Sequence, residues 1–188
     1  MANDLSQQRC GFVSIIGAPN AGKSTLVNRL VGAKVSIVSP KVQTTRTRVM
    51  GIVNHADTQI VFVDTPGIFE PRKRLEKAMV AAAWQGTADA EEILLLVDVG
   101  KGRINDDTKS IINKLKNTKR SVILLLNKID MLQKDKLLAL AAELNEEGIF
   151  KEIFMISALT GDGVAALLET LSKRMPQGPW MFGDDQIS

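Results

Sequence analysis

The sequence predicts an α/β domain with a mostly parallel six-stranded sheet, one antiparallel edge strand and helices on both faces. The main observation is a series of short apolar runs, each of strand length and mostly without polar alternation. Such runs indicate strands that are buried on both faces, as in a parallel sheet covered by helices. The predicted buried strands are Phe12–Ile16, Gln59–Val63, Ile93–Val97, Val122–Leu126 and Ile153–Ile156.

Longer stretches with helical spacing lie between these runs, which is the second observation behind the fold class. Acidic residues open one of them at Asp106 and lysines close it at Lys116, as a helix dipole favours. The predicted helices are Lys23–Val31, Leu75–Gln85, Asp106–Lys116, Lys134–Glu146 and Val164–Arg174.

A hairpin supplies the antiparallel edge strand. Val49–Val53 has strand character, and residues 54–57 (Asn-His-Ala-Asp) resemble a turn that leads into the strand at Gln59. The only histidine, His55, is assigned to this turn and is given no catalytic or metal-binding role.

Composition limits the classes of protein to which the chain can belong. Its 188 residues have the size of one domain, with 45% hydrophobic residues and a mild net charge of +3. The single cysteine, Cys10, excludes an internal disulfide. We expect neither a secretory signal nor a membrane span, because residues 1–9 are polar and no apolar run reaches about 18 residues.

A phosphate-binding loop follows the first strand. Residues 17–24 match the pattern G-x4-G-K-[ST], whose glycines let consecutive backbone N–H groups turn toward a phosphate. The helix that begins at Lys23 adds its partial positive charge. We expect Lys23 to reach the β- and γ-phosphates and Ser24 to bind Mg²⁺. The predicted nucleotide-binding residues of this loop are Gly17, Ala18, Pro19, Asn20, Ala21, Gly22, Lys23, Ser24 and Thr25.

A D-x-x-G motif comes directly after the strand Gln59–Val63. Asp64 is placed to hold Mg²⁺ through a water ligand, and the N–H of Gly67 is placed to bond the γ-phosphate. Loss of that phosphate would release the segment, which is how a nucleotide reorders a switch loop.

An N-K-x-D motif follows the strand Val122–Leu126 and predicts a guanine-reading site. Asp130 can accept hydrogen bonds from the N1–H and the exocyclic amine of guanine, a donor pair that adenine lacks. The Lys128 stem can cover the base, and Asn127 can tie this loop to the phosphate loop. Behind the last strand, the segment Ser157, Ala158 and Leu159 can supply a backbone N–H to the guanine oxygen.

Together the motifs predict a Ras-like P-loop GTPase that binds GTP and GDP and uses Mg²⁺. Two other functions stay open at this point. A pure binding module would hold GTP without hydrolysing it, and a P-loop kinase would transfer the phosphate to another acceptor. The kinase is disfavoured because the sequence contains no separate acceptor-binding or lid segment.

The segment Ala33–Arg48 is predicted to be the first switch. One of its threonines, Thr45 or Thr44, is expected to bind Mg²⁺ when GTP is present, and Thr45 is favoured. Ile68 stands where Ras-like enzymes place the glutamine that orients the attacking water. The predicted catalytic residues are therefore Lys23, Asn20, Thr45 and Gly67. Hydrolysis must depend on backbone groups, a cation or a partner, and Asn20 is the predicted ligand of a K⁺ ion.

The chain resembles the TrmE-Era-like branch of translation-factor GTPases. The resemblance rests on the phosphate loop with Leu26-Val27-Asn28 after it and on the segment Ser157-Ala158 with residues 160–163 (Thr-Gly-Asp-Gly). Within that branch, residues 41–47 (Lys-Val-Gln-Thr-Thr-Arg-Thr) resemble the Era family of small-ribosomal-subunit assembly. Potassium-stimulated members of the branch carry the equivalent of Asn20, and their first switch completes the coordination of the ion.

The resemblance implies a division of the chain and a set of partners. Residues 1–9 form an N-terminal extension, residues 10–175 an Era-type G domain, and residues 176–188 a linker toward a C-terminal KH domain that this chain does not contain. Through that domain the full-length protein is implied to bind 16S rRNA and the small ribosomal subunit. A cytoplasmic monomer with peripheral contact to the inner membrane is also implied.

Overall fold

The structure, a computed structural model, describes residues 5–32, 48–64 and 90–183. Six strands form one sheet in the order β2-β3-β1-β4-β5-β6. The strands are β1 (Arg9–Gly17), β2 (Arg48–His55), β3 (Thr58–Asp64), β4 (Glu92–Asp98), β5 (Val122–Asn127) and β6 (Phe150–Ile156). The described α-helices are α1 (Lys23–Val31), α2 (Asp106–Lys116), α3 (Lys134–Asn145) and α4 (Val164–Arg174), and single 3-10 turns lie at Leu5–Gln7 and Ile129–Met131.

The strand directions confirm the predicted fold class. β1 pairs in parallel with β3 and β4, and β5 pairs in parallel with β4 and β6. Among the described strands, only the edge strand β2 is antiparallel to its neighbour, β3. The hairpin turn is shorter than predicted, because β2 continues through His55 and the chain turns at Ala56 and Asp57. Ala56 adopts a positive φ of 50° there.

Helices cover both faces of the sheet and define two hydrophobic cores. Residues of β4 and β5 alternate between the cores, so that Leu94 and Leu96 face one and Leu95 and Val97 the other. The first core is closed by α1 and α4, through residues that include Leu26, Leu30, Leu167 and Leu171. The second is closed by α2 and α3, through residues that include Ile111, Leu115, Leu140 and Leu144.

Strand β6 shows where the sequence pattern underestimates an element. It begins at Phe150, three residues before the predicted start at Ile153. Lys151 and Glu152 interrupt the apolar run, but β6 lies at the sheet edge and most of its residues are only partly buried. An edge strand accepts charged side chains that a central strand excludes. The predicted helix Leu75–Gln85 and residues 33–47 of the predicted first switch lie outside the described residues.

Residues 176–183, here called the C-terminal strap, pack against the start of the sheet. The N–H of Cys10 donates to the Pro176 carbonyl (3.1 Å), and the N–H of Gly178 donates to the Gln8 carbonyl (2.9 Å). The Arg9 guanidinium donates to the carbonyl of Met175 at 2.8 Å. Burial raises the pKa of the Cys10 thiol, which keeps the thiol protonated beneath this segment.

The side chain of Gln59 fixes the far end of the strap. Gln59 is fully buried in β3, and its amide nitrogen donates to the Phe182 carbonyl at 3.0 Å. Its amide oxygen accepts from the N–H groups of Met181 (2.9 Å) and Phe182 (3.1 Å). The sequence predicted a linker from Pro176, and these contacts were not foreseen. No helix in the described ranges is long and apolar enough to cross a bilayer.

Candidate nucleotide-binding site

The predicted motifs meet at the carboxyl ends of the parallel strands. The phosphate loop follows β1, Asp64 ends β3, Asn127 ends β5 and Ser157 follows β6. The carboxyl ends of parallel strands share an edge, and α/β folds bind their ligands in the crevice there. The topology therefore collects into one place four segments that are far apart in the sequence.

The two glycines of the phosphate loop are required by close contacts. Gly22 caps α1 in the left-handed conformation with φ of 105°. A Cβ at Gly22 would lie 2.5 Å from the Asn127 side-chain nitrogen, and one at Gly17 would lie 2.8 Å from the Leu96 carbonyl oxygen. Larger residues at these positions would force the loop away from β4 and β5. Asn20, at the exposed tip of the loop, also has a positive φ, of 63°.

The start of α1 brings a cation to the end of β3. Lys23 Nζ lies 3.5 Å from Asp64 Oδ1, an ion pair without a hydrogen bond. This carboxylate oxygen is buried and accepts no hydrogen bond from any described residue. A buried polar atom in that state is costly unless a ligand completes it. Ser24, beside Lys23 at the helix start, is exposed.

Asn127 connects the phosphate loop to the segment after β6. Its side-chain nitrogen donates to the Ala21 carbonyl at 2.9 Å, and its side-chain oxygen accepts from the N–H of Ala158 at 3.0 Å. Asn127 is only 2% exposed. The contact expected between Asn127 and the phosphate loop is thus present, and the same side chain holds a second loop as well.

Lys128 reaches across the crevice. Its ammonium group lies 2.7 Å from Asp98 Oδ2 and donates to the Asn20 carbonyl at 3.0 Å. Its backbone adopts a positive φ of 70°. The other oxygen of Asp98 accepts from the N–H of Gly100 at 2.9 Å. Asp98 was not predicted as a site residue, although a carboxylate at the end of a buried strand next to β5 is the signal that could have found it.

Asp130 is exposed, with one carboxylate oxygen held by the protein. The Ser157 hydroxyl donates to Asp130 Oδ1 at 2.7 Å, and the same hydroxyl accepts from the N–H of Thr160 at 3.2 Å. Ser157 therefore orients the carboxylate by its side chain, a role that the sequence did not suggest.

The backbone N–H groups of residues 157–159 have different partners. The N–H of Ser157 donates to the Asp162 carbonyl at 3.0 Å, and that of Ala158 donates to Asn127. The N–H of Leu159 donates to no residue that the structure describes. Of the three predicted donors for a guanine oxygen, Leu159 is the one without a partner in the described part of the chain.

Arg29 is a second residue near the candidate site that the sequence analysis missed. From α1, its guanidinium donates to the Ala158 carbonyl at 3.2 Å and also to the Leu159 carbonyl. Nothing in the sequence around Arg29 distinguishes it from an ordinary exposed arginine near a helix end.

Four sequence-based assignments lie outside the described residues: Thr44 and Thr45 as magnesium ligands, Gly67 as the phosphate donor and Ile68 as the replacement for glutamine. Within the described parts of the chain, no group of three or more His, Cys, Asp or Glu side chains could hold a metal ion alone. Mg²⁺ does not require such a group, since it keeps several waters and shares substrate phosphates with one or two protein ligands.

His55 lies at the opposite end of the sheet from the site, where β2 turns into β3. Its ring nitrogen is 3.1 Å from a carboxylate oxygen of Glu169. The hydrogen bond from His55, together with Lys173, lowers the pKa of Glu169. That His55 has no part in the chemistry stays a prediction.

Comparison with known proteins decides which family the chain belongs to. Residues 12–128 match the family model described as "50S ribosome-binding GTPase". GTPase Era from Mesorhizobium japonicum is 56% identical over 178 residues, which cover 95% of this chain and 57% of that protein. GTPase Era from Caulobacter vibrioides is 53% identical over a gapped alignment of 201 positions, which covers all of this chain and 64% of that protein. The chain belongs to the Era family of GTPases.

Solved Era structures agree with this family membership. A crystal structure of Era in complex with MgGDPNP and a fragment of 16S ribosomal RNA has a TM-score of 0.77 and 41% identity. It matches 95% of this chain, which covers 61% of that one. An Era variant from Aquifex aeolicus bound to GDP and AlF4⁻ has a TM-score of 0.75 at the same identity. This Era-family chain spans about three fifths of the length of the relatives it matches.

Proposed function

We propose that this chain binds GTP and hydrolyses it to GDP and phosphate as a molecular switch. The observation that carries the proposal is the bridge made by Asn127. One buried side chain joins the phosphate loop, through Ala21, to the segment after β6, through Ala158. That segment, residues 157–159, is here called the base-reading loop. A site with this construction holds the two ends of a nucleotide at a fixed separation. Asp130 beside it presents a carboxylate to the donors of guanine and disfavours adenine.

Mg²⁺ fits the residues at the phosphate end. The buried Asp64 oxygen without a hydrogen bond is a hard ligand of the kind that Mg²⁺ or its water shell takes. Ser24, at the start of α1, and Thr45 would hold the ion with Asp64. The ion would neutralise charge on the β- and γ-phosphates. Lys23 would bind the same phosphates from the helix start, and the N–H of Gly67 would bond the γ-phosphate.

Hydrolysis in this chain must proceed without a glutamine, because Ile68 follows Gly67. The attacking water adds its oxygen to the γ-phosphorus, the bond to the β-phosphate oxygen breaks, and GDP and phosphate leave. We propose that Asn20 supplies the missing charge by binding K⁺ over the β- and γ-phosphates. Its exposed position at the loop tip leaves its side-chain oxygen accessible. Residues between Ser36 and Thr44 would complete the coordination of the ion.

Single-turnover hydrolysis tests both proposals. The rate should be higher in K⁺ than in Na⁺ and should be negligible with ATP. Asn20→Ala should abolish the difference between the cations while GDP affinity stays intact. The size of the gain is bounded by that of an arginine finger, about 10³ to 10⁵. Binding of GTP without turnover in either cation would favour the pure binding module, and use of ATP would favour the kinase.

Ribosomal partners are a proposal for the longer protein. The Era protein crystallised with a 16S rRNA fragment is longer than this chain, which covers 61% of it. We propose that residues 10–175 form the G domain and that residues after 176 lead to a KH domain, which binds 16S rRNA on the small subunit. We further propose a cytoplasmic monomer with peripheral inner-membrane contact. Residues 1–188 alone should bind rRNA weakly and with a steep salt dependence, which a filter-binding titration tests.

A further inference from the structure

Arg29 contacts the base-reading loop in a way that none of the motifs explains. It is an exposed residue of α1, the helix that begins at the phosphate loop. Its Nε donates to the Ala158 carbonyl at 3.2 Å, and its Nη2 donates to the Leu159 carbonyl. Two successive carbonyls of one loop are thus held by one planar fork, a geometry that lysine cannot reproduce.

The bond to the Ala158 carbonyl fixes the direction of a neighbouring donor. The Ala158 carbonyl and the Leu159 N–H belong to the same peptide unit, which is planar and trans, so the two groups point in opposite directions. When Arg29 holds the carbonyl, the N–H of Leu159 must point away from α1. That N–H is also the donor of the segment 157–159 that has no partner among the described residues.

The other side of the loop is already fixed. Asn127 accepts from the N–H of Ala158, so Ala158 is held on both sides, by Asn127 at its N–H and by Arg29 at its carbonyl. With only the first bond, the following peptide could rotate about the Ala158 backbone. The arginine removes this freedom before any ligand arrives.

We propose that Arg29 is a positioning residue for base recognition, which aims the Leu159 N–H at the oxygen on carbon 6 of guanine. This inference rests on the proposed guanine-nucleotide function. Arg29 itself does not touch the base in this role. It sets the orientation of the one N–H in residues 157–159 that has no partner among the described residues, so the loss of Arg29 should affect nucleotides according to whether they carry that oxygen.

The test compares GDP with the diphosphate of 2-aminopurine riboside, which has the exocyclic amine but lacks both the 6-oxygen and the N1–H. This analogue binds more weakly from the start, so the quantity compared is the change in each Kd that a variant causes. Arg29→Met keeps the length of the side chain and removes both donors. We expect the Kd of GDP to rise about tenfold, the effect of about 1.4 kcal/mol. The Kd of the 2-aminopurine nucleotide should change less than about twofold, within the scatter of a surface substitution. Arg29→Lys should restore part of the GDP affinity.

Arg174→Met is the matched control. Arg174 is an arginine at the end of α4 that pairs with Glu152, near the start of β6. It therefore lies at the end of the strands opposite to the candidate site. This variant should leave the ratio of the two Kd values unchanged. Thermal unfolding of both variants without nucleotide reports any general loss of stability.

The outcomes separate the possible failures. Equal weakening of both nucleotides by Arg29→Met would overturn the positioning role and leave a structural one, and so would unchanged GDP binding. If the wild-type chain itself binds GDP no better than ADP, the proposed function fails first.

Discussion

The two ends of the candidate site differ in how far the protein completes them by itself. At the base end, the side chains of Asn127, Lys128 and Ser157 all make hydrogen bonds within the protein. At the phosphate end, one carboxylate oxygen of Asp64 is buried and accepts no hydrogen bond from the described residues, and Lys23 Nζ lies 3.5 Å from it. The base end is therefore formed before binding, whereas the phosphate end has charges that a ligand must complete.

This difference separates recognition from switching. A preformed base site binds GTP and GDP alike, because both carry the same base. At the phosphate end, the free energy of binding depends on the phosphates and the cation that the ligand brings. The reason is that a buried polar group without a hydrogen bond gains most when a partner arrives. Discrimination between nucleobases therefore belongs to the rigid end, and discrimination between GTP and GDP belongs to the other.

The largest expected effect is at Asp130. Asp130→Asn replaces an acceptor by a donor where guanine presents donors, so guanine affinity should fall by about 10⁴ and xanthine affinity should rise. Titration with fluorescent GDP and xanthosine diphosphate measures both. Unchanged GDP affinity would show that the base is not read here, and the comparison between the two ends would lose its first half.

Asn127→Ala should lower both folding stability and nucleotide affinity. It leaves the buried Ala21 carbonyl and Ala158 N–H without partners, at about 1–3 kcal/mol each. Urea unfolding without nucleotide should show a loss of about 2–6 kcal/mol. The control is Asn105→Ala, which removes the N-cap of α2 and should cost about 0.5–2 kcal/mol with no change in GDP affinity. A normal urea midpoint for Asn127→Ala would contradict a preformed base end.

Asp64→Asn should have the smallest effect on folding. Among the residues that the structure describes, the carboxylate makes only a long ion pair, so stability without nucleotide should change by less than about 1 kcal/mol. The extra thermal stability that Mg²⁺ adds to the GTP-bound protein should be lost in the variant. Addition of EDTA should therefore leave the melting temperature of the variant the same as addition of buffer. If stability fell strongly in the nucleotide-free protein, the phosphate end would also be a structural element of the fold.

Much of the fold could be predicted because the buried strands are written in continuous apolar runs. Ile93–Val97 and Val122–Leu126 have no polar interruption, and a sequence of this kind has few alternatives to a central parallel strand. The start of β6 was harder, because at an edge the same backbone accepts Lys151 and Glu152. The described residues of the predicted site lie together at the carboxyl ends of the parallel strands because each motif follows a strand.

The contacts that sequence reasoning missed depend on long-range geometry. Arg29 and Leu159 are 130 residues apart, and no local pattern marks the pair. Asp98 and Lys128 meet because β4 and β5 are neighbours, which follows only once the strand order is known. Apolar patterns and motifs describe the sequence around a residue. They do not predict which side chains from distant parts of the sequence will meet across the sheet.

The C-terminal strap also has a consequence for how the domain is made. Arg9 and Met175, which are 166 residues apart in the sequence, meet at the start of the sheet, and Gln59 bonds residues 123 positions later. Contacts of such separation require the longest chain segments to close and therefore form late. During synthesis, β1 and β3 are made before the strap and lack these partners until residue 182 has emerged. We expect Trp180, which donates to the Asp57 carbonyl, to report this last step of folding in its fluorescence.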